Sequence, residues 1–387
     1  MENELIDIYT FGTPKEQWKE GNAKTITFIV TEDCQLRCKY CYIIGKNSFK
    51  KLNFEIAKKS IDYILENQNQ FPEKSVIWEF IGGEPFLEIK LIDQICDYTK
   101  IRMYELNHKW FNNYRFNFTT NGIQYSTESV QKFIEKNISH ISLTITLDGT
   151  EAKHDLNRIY LNGKGSYKDV VKNIPLWQKQ FPNASTKVTF ASEDLKYLAE
   201  SVLHLWGIGI KNIDANVVAE DAWKEGDDKI YEDQLILLAD NIIKNQSFKD
   251  NTCSLFMKSI GKPITDNGNW CGAGKMLAID TEGKFFPCLR FAQFSLQNKP
   301  EIQVGDYKTG IDNNKLRPFL ALDVLTQSTY ECLTCEVATG CAWCQGTNYD
   351  CADTNTIYQR ATYICKMHKA RVRANNYFWN KLDAIES

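Results

Sequence analysis

The chain alternates between short apolar runs and longer stretches with helical spacing. The runs cover residues 25–30, 76–81, 115–119, 141–147, 187–191 and 212–218 and are rich in Val, Ile, Phe and Thr. Runs of that length and composition predict buried strands. Between them, 53–68, 87–106, 126–136, 166–180 and 194–207 bring apolar residues round at intervals near 3.6, which predicts helices. Asn53 with Ile56, Ser60 and Ile64 is one such series, and Tyr167 with Val170, Val171 and Ile174 is another. Six strand–helix units predict a parallel sheet, either wound or curled towards a barrel. The site of such a sheet lies at the C-terminal ends of its strands. One more helix is expected at 231–244. From 250 onward Cys, Gly, Asn and Asp dominate and long periodic runs are few, so this part needs staples to stay folded. The expected divisions are an N-terminal extension at 1–24, an α/β unit at 25–250 and a Cys-rich unit at 251–387.

Composition narrows the class. Of 387 residues, 43% are hydrophobic and 12% aromatic, enough for a sizeable core. A net charge of −3 shows no basic surplus, so nucleic acid is not an expected partner. The N-terminus has neither the basic nor the apolar region of a signal peptide, and no apolar run reaches the ~18 residues of a membrane span. A cytoplasmic location is expected, with no membrane partner. In that reducing compartment, 13 cysteines point to metal binding or catalysis rather than disulfides. Three lie at 34–41, nine lie from 253 to 365, and Cys96 stands alone in a predicted helix as a core residue.

The first group, Cys34-x3-Cys38-x2-Cys41, directly follows the first predicted strand. Three thiolates on one loop can hold three corners of a four-iron cluster and leave the fourth iron open to a substrate or cofactor. A zinc knuckle is the competing reading. It needs a fourth Cys or His close by, and none lies between 42 and 95.

This loop, with Tyr40 before its third cysteine, resembles the radical S-adenosylmethionine (SAM) superfamily. The likeness continues through Gly82-Gly83-Glu84-Pro85, Thr119-Thr120-Asn121-Gly122, and Thr146-Leu-Asp148-Gly149 leading to His154-Asp155-x-x-Arg158. Thr146 stands where the family usually has Ser. The resemblance implies a partial (β/α)6 TIM-like barrel that cleaves SAM to a 5′-deoxyadenosyl radical. Cys34, Cys38 and Cys41 would hold the cluster. Gly82, Gly83, Glu84 and Pro85 would form the loop that binds the methionine amino group of SAM. Glycines allow close backbone approach, and a carboxylate accepts well from an ammonium. Tyr40, Asn121 and Thr146 would complete the cofactor site. Arg158 would grip the SAM carboxylate, the competing reading being a surface salt bridge. Ser192 would reach the ribose, or else cap a helix. His154 would orient loop backbone.

The later cysteines, Cys271-x11-Gly283-x4-Cys288, Cys332-x2-Cys335-x5-Cys341-x2-Cys344 and Cys365, resemble the SPASM extension of peptide-modifying radical SAM enzymes. The family usually has three residues between the last two clustered cysteines; here there are two. The resemblance assigns Cys332, Cys335, Cys341 and Cys365 to a distal four-iron cluster. Cys271, Cys288 and Cys344 go to a proximal one, with Cys253 or Cys351 as candidate fourth ligand, or with an open iron. Three [4Fe-4S] clusters and SAM are therefore the expected cofactors. The expected partners are a peptide substrate and an electron donor such as flavodoxin or ferredoxin.

Several functions stay open. The first is a maturase that crosslinks a ribosomally made peptide, for example through a thioether. The stretches around 341–346 and 363–373 look like maturases of Cys-rich CXXX-repeat peptides. The second is an anaerobic sulfatase-maturating enzyme. In that family an Asp that acts as base follows the residue matching Cys288, whereas here Leu289-Arg290 follow. A small-molecule dehydrogenase, an iron–sulfur electron carrier and a zinc-stapled binding module complete the set. The roughly 24 residues before the first strand are too few for a separately folded leader-binding domain.

Overall fold

The computed structural model describes residues 22–386, apart from 45, 47, 221, 266, 269, 270 and 342. The expected N-terminal extension, Trp18 included, lies almost wholly outside these residues. Six parallel strands follow one another in chain order: β1 (Ala23–Thr31), β2 (Ser75–Gly82), β3 (Tyr114–Thr120), β4 (Ile141–Ile145), β5 (Ser185–Phe190) and β6 (Asn212–Val217). Between β4 and β5 the ladder thins to a single bridge, Thr146 to Lys187. The Thr186 hydroxyl spans the gap by donating to Ile145 O (2.7 Å) and accepting from Leu147 N (3.1 Å). The result is the expected α/β partial barrel.

Side chains alternate along these strands, and the alternation creates the site. One face turns Phe28, Trp78, Phe80, Phe116 and Phe118 onto the helices, all fully buried. Their rings pack at 5.3–6.2 Å, as in Phe80–Phe118 and Phe28–Trp78, a contact worth ~1 kcal/mol per pair beyond area burial. The other face carries Thr27, Glu79 and Asn117, side by side on one rung of β1, β2 and β3. A parallel sheet buried on both faces would be apolar on both. This one is polar inside because its inside is a cavity.

The helices are α1 (Phe54–Glu66), α2 (Ile89–Glu105), α3 (Glu128–Asn137), α4 (Glu151–Asn157), α5 (Tyr167–Val171), α6 (Ile174–Gln180), α7 (Leu198–Gly207) and α8 (Asp227–Lys244). Asn53 caps α1 by accepting from Glu55 N (2.8 Å), and Ala57, Ile61, Ile64 and Leu65 bury its inner stripe. The single helix expected at 166–180 is two helices. Pro175 lies in the first turn of α6, where it needs no partner for its missing N–H. At the break, Asn173 Nδ2 reaches Gly122 O (2.7 Å) and ties the turn to the end of β3.

The Cys-rich part extends the same sheet. β7 (Thr252–Cys253) lies beside β6, and β8 (Leu277–Ile279) pairs in parallel with β1. Antiparallel β9 (Lys284–Phe286), β10 (Gly305–Asp306) and β11 (Gly310–Ile311) follow outward. Short helices α9 (Asn313–Leu320), α10 (Val324–Gln327), α11 (Tyr330–Leu333) and α12 (Gln345–Cys351) follow; Cys332 lies in α11 and Cys351 ends α12, while Cys335, Cys341 and Cys344 lie in the loop between them. The chain ends in α13 (Cys365–Glu386), which packs along α8. An Arg373–Glu232 pair (2.6 Å) and a Tyr377–Asp240 hydrogen bond (2.7 Å) border that seam. No helix among the described residues is long and apolar enough to cross a membrane.

Candidate active site

At the C-terminal ends of β1–β6 lies a cavity of about 610 Å³. Its rim is the cysteine loop. Arg37 ties that loop to itself, its guanidinium donating to Cys34 O, Leu36 O (3.0 Å) and Lys46 O (3.0 Å). The loop backbone then docks on the segment after α4, through Arg37 N to Ile159 O (2.7 Å) and Lys39 N to Asn157 O (3.1 Å). Cys34, Cys38 and Cys41 all line the cavity. Leu36 N (3.4 Å) and Asn121 Nδ2 (3.9 Å) both point at Cys34 Sγ. Such donors tune a thiolate that binds metal.

The 82–85 loop packs directly on the cysteine loop, and its glycines are spent there. A Cβ on Gly82 would stand 2.2 Å from Thr31 O, and one on Gly83 would stand 2.1 Å from Asp33 O. Gly83 N donates to Thr31 O (3.0 Å) and Glu84 N to Asp33 O (2.9 Å). The two glycines therefore set how closely loop meets loop before any ligand arrives. Gly83→Ala is expected to push the cysteine loop off its seat, at a cost of about 1–3 kcal/mol. Anaerobically reconstituted G83A should hold less iron on this loop and release little 5′-deoxyadenosine. Wild-type iron content and turnover would show that the contact does not matter.

Glu84 is buried, and the structure aims it. Oε1 accepts from Thr120 Oγ1 (2.6 Å) and Phe86 N (3.1 Å), and Oε2 from Asn121 N (2.7 Å). Burial pushes its carboxyl upward, while those donors and Arg158 pull it back. Each oxygen keeps accepting capacity for a cation. Across the cavity, Arg158 ends α4. Its Nη1 donates to Tyr40 Oη (3.0 Å), and Tyr40 Oη donates to Asp148. Arg158 Nε is buried and meets no acceptor, an open position on the guanidinium fork. Asn121 and Thr146 also line the cavity. Pro85 is buried under it, at the start of a turn of 3-10 helix, and Ser192 opens another such turn. Neither is among the lining residues.

Behind Tyr40, Asp148 belongs to a buried charged network whose other charged members, Lys153 and Asp194, no local motif marks. Lys153 Nζ stands 3.4 Å from both Asp148 Oδ2 and Asp194 Oδ2, with no side chain exposed. Asn157 Nδ2 also donates to Asp194 Oδ2 (2.7 Å). Burial pushes the Asp148 carboxyl up, but Lys153 and Arg158 hold it below its ordinary range. Asp194 has only Lys153 among its cations, and burial leaves it raised. His154 Nδ1 accepts from Asp148 N (3.2 Å), which places its proton on Nε2, facing Ser166 Oγ (3.0 Å). Burial depresses His154 to about 3, so it is neutral.

The later cysteines form two further groups. Cys332, Cys335, Cys341 and Cys365 line a second cavity of about 380 Å³. Cys271 and Cys344 are electrostatic neighbours of Cys288. This second group abuts the first cavity, because Leu289 and Arg290 line it. Among the described residues, no three Cys, His, Asp or Glu side chains approach closely enough to chelate a single ion. Thiolates that each take a different iron of one cube stand further apart than donors to one ion. Cys253 is fully buried in β7, with Arg371 and Asp214 as its charged neighbours. Cys351 is exposed near Tyr363, and Cys96 is core. Burial pushes the Cys34 thiol up to about 11 and Cys288 to about 12, so metal must displace protons to bind.

Fold and site together contain the radical SAM domain of an enzyme: residues 28–202, just under half of the chain, match the model of the Radical SAM superfamily. Such an enzyme uses SAM and a [4Fe-4S] cluster, and this site fits both. It offers three thiols on one rim, a carboxylate with room for an ammonium, and a buried guanidinium N–H with no acceptor. Among particular relatives, an uncharacterized protein of Methanocaldococcus jannaschii is 29% identical over 274 residues, 68% of this chain and 84% of that one. A cysteine-type anaerobic sulfatase-maturating enzyme of Clostridium novyi is 27% identical over 149 residues, 38% of each chain. Among solved structures, anSMEcpe with bound AdoMet and Cp18Cys peptide superposes with a TM-score of 0.70 at 17% identity, covering 94% of this chain and 99% of that one. Streptococcus suis SuiB bound to precursor peptide SuiA gives 0.56 at 16% identity, covering 88% and 75%. These likenesses show the fold, which runs through the Cys-rich part.

Proposed function

We propose that this enzyme modifies a peptide, abstracting hydrogen from a ribosomally made, Cys-rich substrate to form a thioether or related crosslink. The observation that carries the reading is that one cavity runs from the 34–41 loop to Leu289 and Arg290, directly after Cys288, whose electrostatic neighbours are Cys271 and Cys344. Chemistry begun at one end can thus deliver an electron at the other. In this reading Cys34, Cys38 and Cys41 hold the SAM-binding cluster. Cys332, Cys335, Cys341 and Cys365 hold a distal one. Cys271, Cys288 and Cys344 hold the cluster between. A flavodoxin- or ferredoxin-like donor in the cytoplasm would supply reducing equivalents. The solved relatives carry peptides, Cp18Cys and SuiA, which supports a peptide here.

When bound, the reduced first cluster supplies the electron that splits the carbon–sulfur bond of SAM and generates the radical that takes hydrogen. The protein's part is placement. Glu84 receives the SAM ammonium, and Arg158, steadied by Tyr40 and Asp148, receives the carboxylate. Formylglycine formation is the second reading, favoured by the Clostridium novyi relative. Against it, Leu289 rather than a carboxylate follows Cys288, and Arg290 beyond it is paired with Glu220 at 2.6 Å.

The test is anaerobic. Reconstituted enzyme is given SAM, a reductant and a Cys-rich peptide encoded beside its gene, and the peptide is weighed. Loss of two hydrogens per 5′-deoxyadenosine released supports crosslinking. Conversion of a cysteine to an aldehyde assigns formylglycine instead, and an unchanged peptide overturns the peptide reading.

A further inference from the structure

The charges lining the barrel cavity match in pairs, with one exception. Lys187 holds Asp214 (3.0 Å) and Arg290 holds Glu220 (2.6 Å). Arg158 acts on Glu84, and Lys46 on the thiols of Cys34 and Cys38. Glu79 has no such partner. It sits mid-strand in β2, on the inner face, where Thr27 Oγ1 donates to Oε2 (2.7 Å) and Asn117 Nδ2 to Oε1 (3.1 Å). These three residues share one rung of the sheet, so the carboxylate is held rigidly, facing the lumen. Among the described residues, no lysine, arginine or histidine acts on it. Two neutral hydrogen bonds do not offset the loss of hydration around a carboxylate in such a place. A cation would, and each oxygen keeps accepting capacity for one.

The position of Glu79 relates it to the reaction. Its charge is felt at Cys288 and at Tyr42, next to Cys41. It therefore lies near both cysteine groups, on the wall of the cavity that would admit a substrate. Lysine and arginine suit a narrow lumen, because a thin apolar stem carries the charge to its end. We propose that Glu79 is the recognition point for a Lys or Arg side chain of the substrate, which enters the barrel lumen and pairs with this carboxylate. This rests on the reading of the enzyme as peptide-modifying. The cationic residue is the anchor that sets which neighbouring residue meets the reactive centre.

Cluster-loaded, SAM-bound enzyme can be titrated by anaerobic calorimetry with N-acetylated, C-amidated peptides Gly-Cys-Gly-X-Gly-Gly. X is Lys, Arg, norleucine or Glu, so the side chain is the only cation. The expected result is that Lys and Arg peptides bind about tenfold or more tightly than norleucine, with Glu weakest. The isosteric variant Glu79→Gln, unfolding at the wild-type temperature, should bind Lys and norleucine peptides alike. Equal binding of Lys and norleucine peptides by wild type, or a Lys preference that survives in E79Q, overturns the assignment and leaves the peptide reading intact. Failure of all four peptides to bind, with 5′-deoxyadenosine still released from SAM, overturns the peptide reading and this inference with it.

Discussion

Cys38→Ala should release no 5′-deoxyadenosine from SAM above background, yet stay folded. Cys38 lies in a loop whose shape does not depend on its sulfur. Arg37 holds three carbonyls of that loop, and Ile159 and Asn157 accept from its amides. Removing one half-buried thiol therefore costs little structure. It costs the cluster much more, since two thiolates cannot secure a cube that three hold open at one corner. Anaerobically reconstituted C38A should lose about four irons per chain, the content of one cluster. Cys335→Ala gives the contrast. Its group lines a separate cavity, so C335A should also lose about four irons while still cleaving SAM. Cys96→Ala should change neither, since Cys96 is a core residue of α2. Iron analysis and chromatography of nucleoside products read all three variants. Wild-type SAM cleavage by C38A would end the assignment of this loop.

What could be read in the sequence was whatever chemistry compresses into short spacings. Cysteines three and four apart, a Gly-Gly-Glu-Pro after a strand, and six alternating runs are local features, and the structure places each on one rim. Long-range pairings were not readable. Lys153 and Asp194 lie 41 residues apart, and nothing in the α4 sequence marks its lysine as buried rather than solvated. Glu79 was hidden for a related reason. The composition of the run at 76–81 predicts a buried strand, and only the fold shows that its inner face carries Glu79 into a cavity. The helix Cys365–Glu386 was missed because two positions of its buried stripe are Ala370 and Ala374, small residues that barely register as apolar periodicity. The resemblance assigns the glycines at 82 and 83 to close approach of a ligand, and the backbone they meet in the structure is the chain's own.

Lys153→Met should destabilise the enzyme more than any single change to its surface ion pairs. An exposed pair such as Lys229–Asp233 contributes little, because water screens it. Lys153 differs because it is the cation between two buried carboxylates, at 3.4 Å from each. Methionine keeps much of the stem but removes the charge, and with it the contact of Nζ with the Phe190 ring at 4.4 Å. Asp148 and Asp194 then face each other in low dielectric, with only Arg158 left to serve Asp148. Breaking a buried pair this way costs about 3–5 kcal/mol, which lowers the thermal midpoint by roughly 5–15 °C. The damage should travel along the hydrogen bonds. Asp148 holds Tyr40, Tyr40 holds Arg158, and so the affinity for SAM should fall along with stability. Removing one of the stranded charges tests the cause. K153M/D194N should recover part of the lost midpoint, whereas D194N alone leaves Lys153 with Asp148 and should cost less than K153M. Anaerobic thermal unfolding and SAM titrations of the three variants measure both effects. A K153M midpoint within a degree or two of wild type would mean the two carboxylates share a proton and that the network is held by hydrogen bonds alone.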